Sequence, residues 1–341
     1  MEKFSPRSFG HPDRYYSQSM PQEGAGEAFH PFRKSIESLL KEYDPQLEQK
    51  ITRVFRQWNN VLRDLLRNEM GLRLAIGGEA QAVPVKVVPG LPMPFRSIVD
   101  EIPPDLWRFL LRLPTLEATV SGLASIIRNY RGLDSQSAVG LPAPMPPSVP
   151  QAHAFCCELV DRLQRFEIRK KLTDIDQDIL GAYYFRSPQV HLYWMVIGLV
   201  AGVLGVDAES LTIVVAVHEL AHAYSHLGRD IDGTRWDTEF FARSELAIVE
   251  GIAQFYTGVV CHKLEPRNPA PYGSYQALLQ LQGGPYRLHE GWSKRVENGR
   301  EAPVSQIGEI VRACLIECRT KGMQRYDEYL AALENHRLRL G

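Results

Sequence analysis

Hydrophobic positions recur at three- and four-residue intervals from Pro31 to about Gly71, through Leu39, Leu40, Leu47, Ile51, Val54, Phe55, Leu62 and Leu66. That period predicts amphipathic helix, because residues three and four apart share a face. Residues 1–30, polar and rich in Gly, Pro and Ser, predict a flexible arm. Pro84, Pro89, Pro92 and Pro94 exclude helix from 82–98 and predict an edge strand or extended connector there. Helical patterning resumes over 104–113 and 116–130. The run Leu141-Pro-Ala-Pro-Met-Pro-Pro-Ser-Val-Pro150 then predicts a stiff linker. The expected division is a helical N-terminal domain at 31–140, a Pro-rich linker at 141–150 and a second domain at 151–341.

Within that second domain, residues 151–172 predict a helix. Gly181–Phe185 and Gln189–Trp194 alternate in the manner of strands around Arg186-Ser-Pro188, which predicts a hairpin. Met195–Leu204 predicts a helix ended by Gly205. Asp207 predicts the cap of the next helix, which runs to Leu227 with Gly228 as its stop. A further helix is expected over Glu239–Tyr256, and two more over 303–341. The fold class expected is α+β, mostly α, with a small sheet.

Composition narrows the partners. Of the 341 residues 44% are hydrophobic and 23% charged, which excludes a mostly disordered chain. Lys plus Arg number 39 against 40 Asp plus Glu. That balance offers no basic excess for phosphates, so no nucleic acid partner is expected. Ser187–Val206 lacks Asp, Glu, Lys and Arg, yet its apolar part, Leu192–Val206, is short for a bilayer span, so no membrane partner is expected either. Five scattered cysteines and an N-terminal sequence without an apolar leader stretch predict reduced thiols and a cytoplasmic location. Cys314 and Cys318, one turn apart, read as packed thiols rather than ligands.

The chemistry gathers in Val217-His218-Glu219-Leu-Ala-His222, an HExxH sequence flanked by uncharged, mostly apolar positions of its helix. Two histidines one turn apart project from one face and can share one metal ion, while Glu219 points beside it as a general base. Buried in such a helix, these groups are costly unless something binds them. His226 continues the series, but about 12 Å of helix rise separates it from His218. The third ligand expected is Glu250 in Ile248-Val-Glu-Gly-Ile-Ala253, where Gly251 would let the two helices approach closely. Glu245 is the rival, about 140° around the helix, and Glu239 is more remote.

His218-Glu-Leu-Ala-His222 followed by Glu250-Gly-Ile-Ala resembles the gluzincin metallopeptidases, the thermolysin-like zinc proteases. The hairpin Gly181-Ala-Tyr-Tyr-Phe185 and Gln189-Val-His-Leu-Tyr193 is similar to the family's edge strand and its neighbour. The likeness spans about residues 152–290. It implies a zincin-like catalytic domain, here following the helical domain read from the pattern of residues 31–140, and one Zn²⁺ per chain on His218, His222 and Glu250. It also implies that Glu219 activates a zinc-bound water, and that a peptide or protein substrate lies along strand 181–185 by backbone pairing. The interval 223–249 is longer than thermolysin's. Where the family carries an Asp four residues after the glutamate ligand, this chain has Gln254, so support for the histidines is expected from Asp230, Asp232 or Asp237. Peptide hydrolysis also needs an oxyanion donor. Tyr286 and His289, after Gly283-Gly284, are the candidates, with Tyr224 and Tyr256 behind them. The expected activity is zinc-dependent peptide hydrolysis. The alternative is a non-catalytic, zinc-stabilised binding or regulatory protein on the same scaffold.

Overall fold

The computed structural model describes residues 30–74, 83–90, 95, 98, 100–134, 145–173, 179–293 and 304–340. Residues 1–29 of the arm expected at 1–30, and linker residues 141–144, lie outside them. The first half holds α1 (His30–Tyr43), α2 (Leu47–Met70), β1 (Val85–Val88), α3 (Pro104–Leu110), α4 (Leu113–Asp134), α5 (Ser148–Gln164) and α6 (Ile168–Thr173). The hairpin β2 (Gly181–Tyr184) and β3 (Gln189–Tyr193) follows, then α7 (Trp194–Leu204), α8 (Ala208–Leu227), α9 (Thr238–Arg243) and α10 (Leu246–Leu264). The chain continues through α11 (Ala270–Leu281), a 3₁₀ turn at Gly284–Arg287, α12 (His289–Ser293), α13 (Val304–Lys321) and α14 (Tyr326–Leu340). The fold is therefore α+β and mostly helical.

Its one described sheet has the order β1-β3-β2. β2 runs antiparallel to β3 with Gly181 opposite Leu192, and β1 runs parallel to β3 with Val85 opposite Val190. The Pro-bounded strand β1 is thus an edge, as expected of a segment with missing donors. β2 is the other edge.

α8 lies at the centre, packed against α2, α7, α10, α11, β2 and β3. Every residue from Ser210 to His226 is buried, which a largely apolar run with Glu219 as its one acidic residue allows. Asp207 caps it: its carboxylate accepts from the Ser210 amide at 2.8 Å and from the Ser210 hydroxyl at 2.9 Å. No helix among the described residues is long and apolar enough to cross a membrane. The apolar run Leu192–Val206 is divided between β3 and α7.

One hydrophobic core runs from Ile36 to Leu333, so the helices on either side of the proline-rich run share it. Leu62, Leu66 and Met70 of α2 are fully buried, and the Tyr224 hydroxyl of α8 donates to the Arg63 carbonyl at 2.9 Å. The end of the expected linker is already helical, since α5 starts at Ser148. Pro150 is tolerated there because first-turn amides have no intrahelical acceptor. Likewise the helix expected over Glu239–Tyr256 is two helices: Ser244 adopts an extended ψ of 141° and its hydroxyl bonds back to the Phe240 carbonyl at 2.8 Å. Nothing in the local composition signals that break.

Candidate metal centre

α8 contributes His218 and His222 from one face, and α10 packs against that face with Glu250. The three side chains meet at one point. His218 Nε2 lies 3.1 Å from Glu250 Oε2 and 3.1 Å from His222 Nε2, and His222 Nε2 lies 3.4 Å from the same carboxylate oxygen. All three residues are buried, Glu250 to 1% exposure. Burial alone drives the Glu250 carboxyl upward, but the adjacent His222 and His218 imidazoles outweigh it and hold the group well below the usual carboxylate range. Two ring nitrogens and a carboxylate oxygen aimed at a common point form a donor set that could hold a metal ion. It is the one such group among the described residues.

Glu219 sits beside this set rather than in it. Its side chain lies against the first residue of β2: a Cβ at Gly181 would fall 2.9 Å from both Glu219 Cγ and Glu219 Oε1. Glu219 and His218 form part of the wall of a cavity of about 60 Å³, whose apolar sides include Leu180, Val200, Val214, Leu278 and Leu281. That volume admits a few waters or a short side chain. Tyr286 also lines the cavity, its ring centroid 6.2 Å from that of His218.

The other candidates are placed elsewhere. Both ring nitrogens of His289 are engaged: Nδ1 with the Tyr286 carbonyl at 2.9 Å and Nε2 with the Tyr275 hydroxyl at 2.8 Å. That geometry makes His289 a brace for the 3₁₀ turn that carries Tyr286. Glu245 accepts from the Tyr326 amide at 2.9 Å and so ties α10 to α14, while exposed Glu239 pairs with Arg186 at 3.2 Å. His226 packs on Phe241 and bonds Tyr183 and Thr238. Tyr224 is spent on Arg63, and Tyr256 packs edge-on against Phe255.

The three aspartates expected to support the histidines do other work. Asp237 caps α9 by accepting from the Glu239 and Phe240 amides, Asp232 accepts from the Thr234 amide, and Asp230 pairs with Arg312 at 3.5 Å. Gly251 does not serve the approach of α8 to α10. The space beside it is filled by Trp292, whose ring would lie 2.7 Å from a Cβ there. Cys314 and Cys318 are fully buried, and burial pushes the Cys314 thiol up to about 12. Such thiols pack rather than ligate.

Sequence reasoning missed two parts of the site. Gly181 carried no signal, because its role depends on a contact with a residue far along the chain. Gln254 stood out only as a departure from a family pattern; its amide nitrogen donates to Gln282 Oε1 at 2.8 Å, and both residues line the cavity. In comparisons with protein-family models, curated proteins and solved structures, nothing matches this chain.

Proposed function

We propose that this protein is a zincin-like metallopeptidase, a zinc-dependent hydrolase of peptide bonds that takes one Zn²⁺ per chain on His218, His222 and Glu250. The observation that carries the proposal is the spacing of the three donor atoms, 3.1, 3.1 and 3.4 Å apart. Ligands about 2.0–2.1 Å from a tetrahedral zinc lie about 3.3 Å from one another, so the set fits that ion without rearrangement. A zinc ion there supplies Lewis acidity, polarising a carbonyl and acidifying water.

The chain's own residues supply the rest. Glu219, beside the ligands and facing the cavity, takes the proton from the attacking water and returns it to the departing amine nitrogen. Gly181 leaves the room that the Glu219 carboxylate occupies. β2 is a sheet edge, and an extended peptide added alongside it, over residues 181–185, brings its carbonyl past Glu219. Tyr286 is the donor proposed for the developing oxyanion. His289 acts through it, fixing the Tyr286 turn by its bond to that residue's carbonyl. The buried walls around His222 and Glu250 exclude bulk water and strengthen each charge interaction.

Glu219→Gln tests the reading. The variant should retain about one zinc per chain by metal analysis while peptide cleavage falls by roughly 10²–10⁴. His222→Ala and Glu250→Ala should lose the metal. Cleavage retained in Glu219→Gln overturns the assignment of the base. A wild-type chain that holds zinc yet cleaves no peptide favours the non-catalytic, zinc-stabilised alternative.

A further inference from the structure

Gln254 is 2% exposed, and its side-chain oxygen Oε1 has no hydrogen-bond partner among the described residues. Its amide nitrogen is committed to Gln282. The side chain lies one turn beyond Glu250 on α10 and forms part of the wall of the cavity that reaches His218 and Glu219. The neighbouring polar wall residue, Thr257, is satisfied through its own hydroxyl, which donates to the Ala253 carbonyl at 2.7 Å. The rest of the enclosure is largely aliphatic. A buried acceptor left unpaired keeps its desolvation cost, which a ligand donor recovers.

We propose that the cavity is a specificity pocket for a short side chain, apolar along its length and tipped by a hydrogen-bond donor, with Gln254 Oε1 as the acceptor that reads the tip. This rests on the peptidase reading in one respect only, namely that the side chain belongs to a substrate residue flanking the bond to be cut. The space of about 60 Å³ suits a threonine or asparagine side chain and is small for an aromatic ring. A purely aliphatic pocket separates Thr from Val weakly, because the two have nearly the same shape. A pocket with a fixed acceptor rejects the analogue that lacks the donor much more strongly, since the acceptor is then desolvated for nothing. Gln282 holds the Gln254 amide in one orientation, so the acceptor is set in place before any ligand arrives.

Two measurements on the full zinc-loaded chain test the pocket separately from the chemistry. The first is NMR titration with acetamide and with acetone, similar in shape, of which only the amide carries N–H donors. The amide should bind at least about tenfold more tightly than the ketone. That preference should vanish in Gln254→Met, and Leu278→Phe, which fills the cavity, should abolish binding of both. Equal binding of the two, binding of neither, or a preference that survives Gln254→Met overturns the pocket, whatever the outcome for cleavage. The second compares cleavage of peptides that differ only by Thr or Val beside the cut. Thr should be favoured at least about tenfold in kcat/KM, and Gln254→Met should erase the difference. Ligand discrimination without any cleavage leaves the pocket standing and removes the peptidase reading.

Discussion

A methyl group at position 181 would stand 2.9 Å from Glu219 Cγ, Glu219 Oε1 and Val215 Cγ1, closer than van der Waals contact allows. Gly181→Ala should therefore move the Glu219 carboxylate while leaving the three donor atoms in place. Zinc content should be unchanged and cleavage should fall on the order of 10²-fold, the usual effect of misplacing a reacting group by about an ångström. Equal loss of metal and activity would show instead that the substitution damages the whole site. Other single residues govern the response to acid. Burial, the largest cause for each, pushes the His226 and His289 imidazoles down to about 4, against an ordinary value near 6.5. Between those limits the unfolded chain binds protons that the folded chain does not, so stability rises with pH. It is complete above about pH 6.5 and is lost as pH falls toward 4, by about 3 kcal/mol per histidine. Urea midpoints measured at pH 7 and pH 5 should show the drop, and His226→Asn should roughly halve it, His289 carrying the rest. An unchanged slope in that variant assigns the loss to other groups.

Among the elements, α10 is placed by what lies behind it as much as by the metal ligands in front. Trp292 fills the space left by Gly251, its ring centroid 5.0 Å from that of Tyr329 and its indole nitrogen donating to the Tyr326 hydroxyl at 3.1 Å. Gly251→Ala forces that ring back, an overpacking expected to cost about 1–3 kcal/mol in urea unfolding and to weaken zinc retention through the adjacent Glu250. Unchanged stability would mean that Trp292 has room to yield. The start and stop of α8 were readable in advance, since Asp207 and Gly228 are local signals within a strong pattern. The division of α9 from α10 was not, because it depends on Ser244 turning onto a carbonyl and on Glu245 being held by α14. The hairpin was legible for the same reason as α8: alternation and a Ser-Pro turn are local.

For the molecule as a whole, α2 is part of the core that supports the candidate metal centre. It packs against both α8 and α10, with Leu62, Leu66 and Met70 at 0% exposure. A chain cut to residues 145–341 would expose those contact faces to water. It should show no cooperative unfolding transition and little near-UV circular dichroism; a cooperative fold in that fragment would restore the division into two independent domains. The proline run suggested such a division because stiff, donor-poor sequence is typical of linkers. Composition reports the stiffness of a connection, not whether the parts it joins share an interior.

From sequence alone came the histidine pair of the HExxH run with its candidate glutamates, the helical character of most of the chain and the hairpin ahead of the HExxH helix. Each is encoded within a few turns of backbone, where spacing already sets which side chains share a face. Tertiary structure decided which glutamate joins the histidines, that His289 braces the Tyr286 turn, that Gly251 accommodates Trp292, and that Gln254 borders a cavity. These depend on distant segments brought together, and hydrophobic patterning fixes which face is buried without specifying what it is buried against.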